Sequence, residues 1–129
     1  MFPTPQDIVG PWHGWIVHPR GPQRVQVEIT YDGLFQGTYS FPDGHEKSGS
    51  FMAFLASPVL YIQLTDSRGP LHFHMDILIG KNHTMMYGTI PPAATWPPRV
   101  PFATVTMFRG KFPQVTPIAA WQDFFTELT

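Results

Sequence analysis

The chain has no cysteine among its 129 residues, which excludes disulfides, zinc–thiolate centres and cysteine nucleophiles. Charge is scarce too: Asp, Glu, Lys and Arg supply 13% of residues, about half the share of an ordinary soluble domain. The formal net charge is −1 and no two basic residues are adjacent. That balance offers neither the basic footprint nucleic acid requires nor a polybasic membrane patch. No stretch approaches the roughly 18 consecutive apolar residues of a membrane-spanning helix. The opening Met1-Phe2-Pro3-Thr4-Pro5-Gln6-Asp7 lacks the basic and apolar regions of a signal peptide. The expectation is a cytoplasmic protein with no membrane insertion and no nucleic-acid partner. Gly-x-Gly-x-x-Gly, P-loop, Gly-x-Ser-x-Gly and His-Glu-x-x-His motifs are missing as well, which argues against nucleotide binding and serine hydrolysis.

What the chain has in plenty is punctuation. Its 15 prolines and 11 glycines fall between apolar alternations rather than inside them. The alternation has period two, the repeat of a half-buried strand. Val25, Val27 and Ile29 alternate with Arg24, Gln26, Glu28 and Thr30. Leu60, Ile62 and Leu64 alternate with Tyr61, Gln63 and Thr65, and Leu71, Phe73, Met75, Ile77 and Ile79 with His72, His74 and Asp76. Strands are read at 12–18, 24–31, 34–41, 48–55, 58–66, 70–79, 83–90 and 101–109. The links between most of them are short enough for hairpins, and Asp32-Gly33 supplies the positive φ of a tight turn. Parallel pairing would need crossover helices for which there is no room.

The fold expected is therefore all-β: one domain over 1–129, with an eight-stranded up-and-down antiparallel barrel at about 10–110 and the apolar sets pointing inward. Four prolines in 91–99 forbid a continuous ladder, so that segment is expected to border one barrel mouth. Thr116-Pro117 has the form of a helix start. Ile118, Trp121, Phe125 and Leu128 then recur at helical spacing, predicting a short C-terminal helix at about 117–128 with an apolar stripe for the barrel's outside or for a partner.

Gly10-Pro11-Trp12 resembles the Gly-x-Trp that opens the first strand of lipocalins. Arg109, in Met107-Phe108-Arg109-Gly110, is placed like the arginine of that family that stacks across the tryptophan. The resemblance implies a calycin-type barrel plugged at one end by Trp12 and Arg109 through packing and a cation–π contact. Asp32-Gly33-Leu34-Phe35-Gln36-Gly37-Thr38-Tyr39 is similar to an avidin hairpin. Trp12-His13-Gly14 followed by Gly37-Thr38 and Gly88-Thr89 looks like small bacterial lipocalin-like modules. Avidins box in biotin with tryptophans on later strands, whereas this chain has none between Trp15 and Trp96, so biotin is not the implied ligand. Met86-Tyr87-Gly88-Thr89-Ile90-Pro91 with Trp96 has a looser similarity to phenolic acid decarboxylases, barrel enzymes without a cofactor. Their catalytic set has no residue-by-residue counterpart here.

Three groups of side chains invite a chemical reading. His72, His74 and Asp76 share one face of a strand at steps of about 7 Å, the composition of a two-His-one-carboxylate metal set or an acid–base pair. The same residues also read as the wet face of a half-buried strand, which leaves no metal and no cofactor. Trp15, Tyr39 and Tyr87, large rings with polar tips next to glycines, suit the orientation of a small ligand, with Phe73 and Met75 on the apolar wall. They equally suit the filled core of a small barrel. The methionines are adaptable packing.

The function expected is binding of a small, largely apolar or aromatic molecule inside the barrel. One alternative is a cofactor-independent cyclase, isomerase or decarboxylase in the same cavity, with His74 or Tyr87 handling the proton. The other is a non-catalytic interaction protein forming a homodimer, which the low charge would favour.

Overall fold

In the computed structural model, which describes residues 3–18, 21–43, 48–66, 69–80, 84–90 and 103–109, eight strands close into an antiparallel barrel in chain order. They are β1 (Gly10–His18), β2 (Gly21–Tyr31), β3 (Phe35–Ser40), β4 (Gly49–Ala56), β5 (Val59–Asp66), β6 (Gly69–Ile79), β7 (Thr84–Ile90) and β8 (Ala103–Arg109). Each pairs with its sequence neighbour, and β1 pairs with β8 to close the cylinder, setting Trp12 opposite Arg109 and Ile16 opposite Val105. The β2–β3 turn places Gly33 at φ 100°, where any side chain would be strained.

The alternation decides the faces. Val25, Val27 and Ile29 are buried, while Glu28 and Thr30 between and after them are exposed. On β6, Met75 and Ile77 are buried and Phe73 is half-buried, whereas His72 and His74 are exposed. The inward residues of every strand merge into one cluster that includes Trp12, Phe35, Phe51, Leu60, Ile62, Met86 and Met107.

A four-residue helix, α1 (Pro5–Ile8), precedes β1. Proline occupies its first position, where the missing N–H costs nothing. The Thr4 N–H donates to the Asp7 carboxylate at 2.8 Å and the Thr4 hydroxyl reaches the same oxygen at 3.1 Å, so the acid anchors the turn's start. The helix expected at 117–128 and the loop at 91–99 lie outside the described residues.

A second buried cluster stands on the outer surface. Trp15, Met85 and Phe108 pack together with Val17, Leu78 and Tyr87 beside them. All point away from the lumen, because each directly adjoins an inward residue on its strand. Met85 is 0% exposed and Phe108 4%, so this part of the outer wall is as dry as the interior.

Candidate functional site

The two ends of the barrel differ, and the difference comes from the residues. At one end α1 sends Ile8 into the barrel's core cluster. Ile8 and Trp12 are both 0% exposed, and the Trp12 indole N–H donates to the Ile8 carbonyl at 2.7 Å. Arg109, facing Trp12 across the closing seam, donates through Nε (3.0 Å) and Nη2 (2.8 Å) to the Val9 carbonyl. The indole and the guanidinium thus satisfy successive carbonyls of the α1–β1 junction, the first at a buried site and the second at an exposed one. Ile29, Leu60 and Met75 complete a fully buried floor.

At the opposite end the inward residues are only partly covered. Ile16, Tyr39, Phe41, Leu64, Phe73 and Ile90 are half-buried hydrophobics packed against the core. Tyr39 and Phe41 meet edge-to-face, with ring centroids 5.8 Å apart and planes at 72°, a favourable aromatic geometry. Beneath this rim two glycines admit rings. The Phe51 ring fills the space over Gly37, its register partner, and the Tyr39 ring fills the space over Gly49, its own partner. The lumen is therefore a packed lower part under a rim of incompletely buried apolar and aromatic side chains.

The residues singled out from sequence divide by face. Tyr39, Phe73 and Met75 are inward, Tyr39 and Phe73 half-buried toward the end opposite α1 and Met75 in the floor. Trp15 and Tyr87 are outward, in the second cluster; the register pairs both with Thr106. His74 is outward and exposed, so no proton transfer in the lumen involves it. The strand's period of two explains this: Met75 and Gly88 face inward as a pair, so His74 and Tyr87 beside them face out. His72 and His74 are exposed and Asp76 is half-buried on the same outer face, yet no group of three potential metal ligands converges among the described residues.

His13, also outward on β1, lies in register with Phe108 and Gln26. Burial pushes its imidazole below the ordinary value of 6.5, the Arg24 charge adds to this, and Glu28 opposes it.

Two open grooves mark the outer wall of β2–β6. One, of about 550 Å³, is lined by Glu28, Gln36, Thr38, Ser50, Met52 and Gln63 among others. The other, of about 370 Å³, includes Leu34, Met52, Phe54, Tyr61, Gln63 and His74. Sequence reasoning puts the ligand inside the barrel and does not single out this wall, although it reads His72 and His74, which stand there, as a strand's wet face. The signal for it was present in the exposed alternates Met52, Phe54 and Tyr61, apolar where a wet face calls for polar residues.

Among the described residues no helix is long and apolar enough to cross a membrane. Comparison with protein-family models, with curated proteins and with solved structures finds no match to this chain.

Proposed function

We propose that the barrel binds a small, largely apolar molecule at the end opposite α1, against Tyr39, Phe41, Phe73 and Ile90. The observation that carries this reading is the difference in cover among the described residues: Ile8 and Trp12 are fully buried at the α1 end, whereas Tyr39, Phe41, Phe73 and Ile90 at the other are half-buried apolar side chains. Half-covered aromatic and aliphatic groups are surface that an apolar ligand can bury. Removing about 300 Å² of apolar surface from water at ~25 cal/mol per Å² supplies roughly the 7–8 kcal/mol of micromolar binding, before the costs of association. The Tyr39 hydroxyl is the polar group nearest to hand for orientation. The calycin resemblance fits the same reading. A lumenal enzyme has less support, because His74 and Tyr87 face outward.

The test is native mass spectrometry of the purified protein combined with titration of an environment-sensitive naphthalene dye. A bound mass lost on denaturation, or saturable dye binding weakened several-fold by Phe73→Ala and Tyr39→Ala but not by Leu55→Ala at the sealed end, supports the rim. Binding insensitive to both rim substitutions, or none at all, overturns it.

A further inference from the structure

Beyond the lumen, the outer wall of β2–β6 carries a surface with an ordered chemistry. The register aligns Phe54, Tyr61 and His74 across three neighbouring strands. Phe54 and Tyr61 stack with centroids 4.9 Å apart and planes at 12°, and Tyr61 meets His74 at 6.2 Å. The next row is Gln36, Met52, Gln63 and His72, and beyond it stand Thr38 and Ser50. Phe54 is 59% exposed and Tyr61 41%. The two grooves over these rows share Met52 and Gln63, so they form one continuous trough running from rings through amides to hydroxyls.

We infer that this trough is a binding site for a neutral oligosaccharide, distinct from the rim of the barrel. A pyranose presents one face of C–H groups, apolar and slightly positive, which suits the negative face of an aromatic ring; Phe54, stacked on Tyr61 through one face and largely exposed, has its other face for this contact. Its rim of hydroxyls both donates and accepts. Side-chain amides and hydroxyls do the same, and they line the trough beside the rings. Neighbouring strands are about 4.8 Å apart, so the Phe54–Tyr61–His74 row spans roughly the length of a disaccharide. Among the trough residues named, Glu28 is the sole formal charge apart from the histidines, which disfavours phosphorylated or sulfated ligands. An apolar protein partner would leave Gln36, Gln63, Thr38 and Ser50 with donors and acceptors buried and unmatched, at a cost a hydroxyl-bearing ligand avoids. The closed barrel fixes all these residues on one rigid wall, so little ordering is required on binding.

The experiment is calorimetric titration of the full chain with cellohexaose, xylohexaose, maltohexaose and chitohexaose, with sedimentation velocity on the same samples. The expected result is saturable binding of at least one of them with a Kd of about 10 µM to 1 mM. Phe54→Ala should weaken it roughly tenfold, in line with loss of an aromatic stack, and Gln63→Ala several-fold; Ile16→Ala, on β1 and outside both grooves, should leave it unchanged. Circular dichroism checks that each variant is folded, and Gln63→Ala carries the test if Phe54→Ala is not. The inference is overturned if none of the four binds at about 10 mM, or if binding survives both trough substitutions. It is equally overturned if the wild type sediments as a dimer that Phe54→Ala converts to monomer, since the rings would then serve self-association.

Discussion

The tip of the Phe51 ring occupies the space that a β-carbon would take on Gly37, its direct partner across β3 and β4. At Gly14, by contrast, the same space belongs to the backbone of Thr106 and Met107 on β8. A ring can swing aside; a paired strand moves only with its ladder. Gly37→Ala should cost about 1–3 kcal/mol, the ordinary penalty of overpacking, and Gly14→Ala more, because it wedges the closing seam. Urea unfolding of the two variants gives the order. Equal midpoints would mean that the seam yields as easily as a side chain.

The sealed end makes its own prediction. Trp12→Phe keeps most of the buried ring but removes the N–H that satisfies the Ile8 carbonyl, which should cost roughly 1–3 kcal/mol. Arg109→Lys keeps the charge and loses the two-nitrogen grip on the Val9 carbonyl, and should cost less, about 1 kcal/mol, because the group is exposed. Thermal unfolding of both variants checks the ranking.

Stability should fall on mild acidification, with His13 as one cause. Its folded pKa is lowered by burial, with Arg24 adding to the effect. The unfolded chain therefore takes up this proton first, near 6.5, and stability rises with pH wherever the unfolded state binds more protons. The contribution is complete above about 6.5 and is lost as pH falls toward the lowered folded value. The urea midpoint measured from pH 8 to 5 should decline, and His13→Gln should flatten that decline. An imidazole titrating above 6.5 by NMR would reverse the sign.

Exposure on the outer wall separates two phenylalanines of similar appearance. Phe108 is 4% exposed within the Trp15–Met85 cluster, whereas Phe54 is 59% exposed. Phe108→Ala should cost about 3–5 kcal/mol, as for a core ring, and Phe54→Ala no more than about 1 kcal/mol, the worth of its stack on Tyr61. Denaturant midpoints decide. A small effect at Phe108 would show that its surroundings collapse readily around the gap.

Much of this architecture was legible in the residues. Where one face is apolar and the other polar, as in Val25–Thr30 or His72–Ile77, the alternation named both the strand and its inward side. The expected strand at 70–79 is observed as Gly69–Ile79, and that at 58–66 as Val59–Asp66. Where both faces are apolar the pattern falls silent. β1 carries Trp12, Trp15, Ile16 and Val17, β7 carries Met85 and Met86, and β8 carries Met107 and Phe108. Each pair of neighbours splits between lumen and outer cluster, and composition does not say which goes where. Trp15 and Tyr87 read as lumenal rings for that reason. Helix α1 escaped notice because one turn is too short to display a period; its Thr4-Pro5-Gln6-Asp7 start is legible only once the turn is known. The trough is not legible because its rows form only when the register sets Phe54 beside Tyr61 and Met52 beside Gln63 across β4 and β5.

The seam between β1 and β8 has a consequence for how the chain is made. Trp12 and Arg109 are cross-strand partners, yet nearly the whole barrel lies between them in sequence. During synthesis from the N-terminus, β1 has no partner on that side until Ala103–Arg109 has emerged, and each newest strand is an open edge until the next one pairs with it. A ribosome stalled before that point holds a sheet with two unpaired margins, the state in which strands recruit one another between molecules. Completion removes both margins in a single pairing event, so aggregation risk should concentrate in nascent and truncated chains and vanish with the final strand.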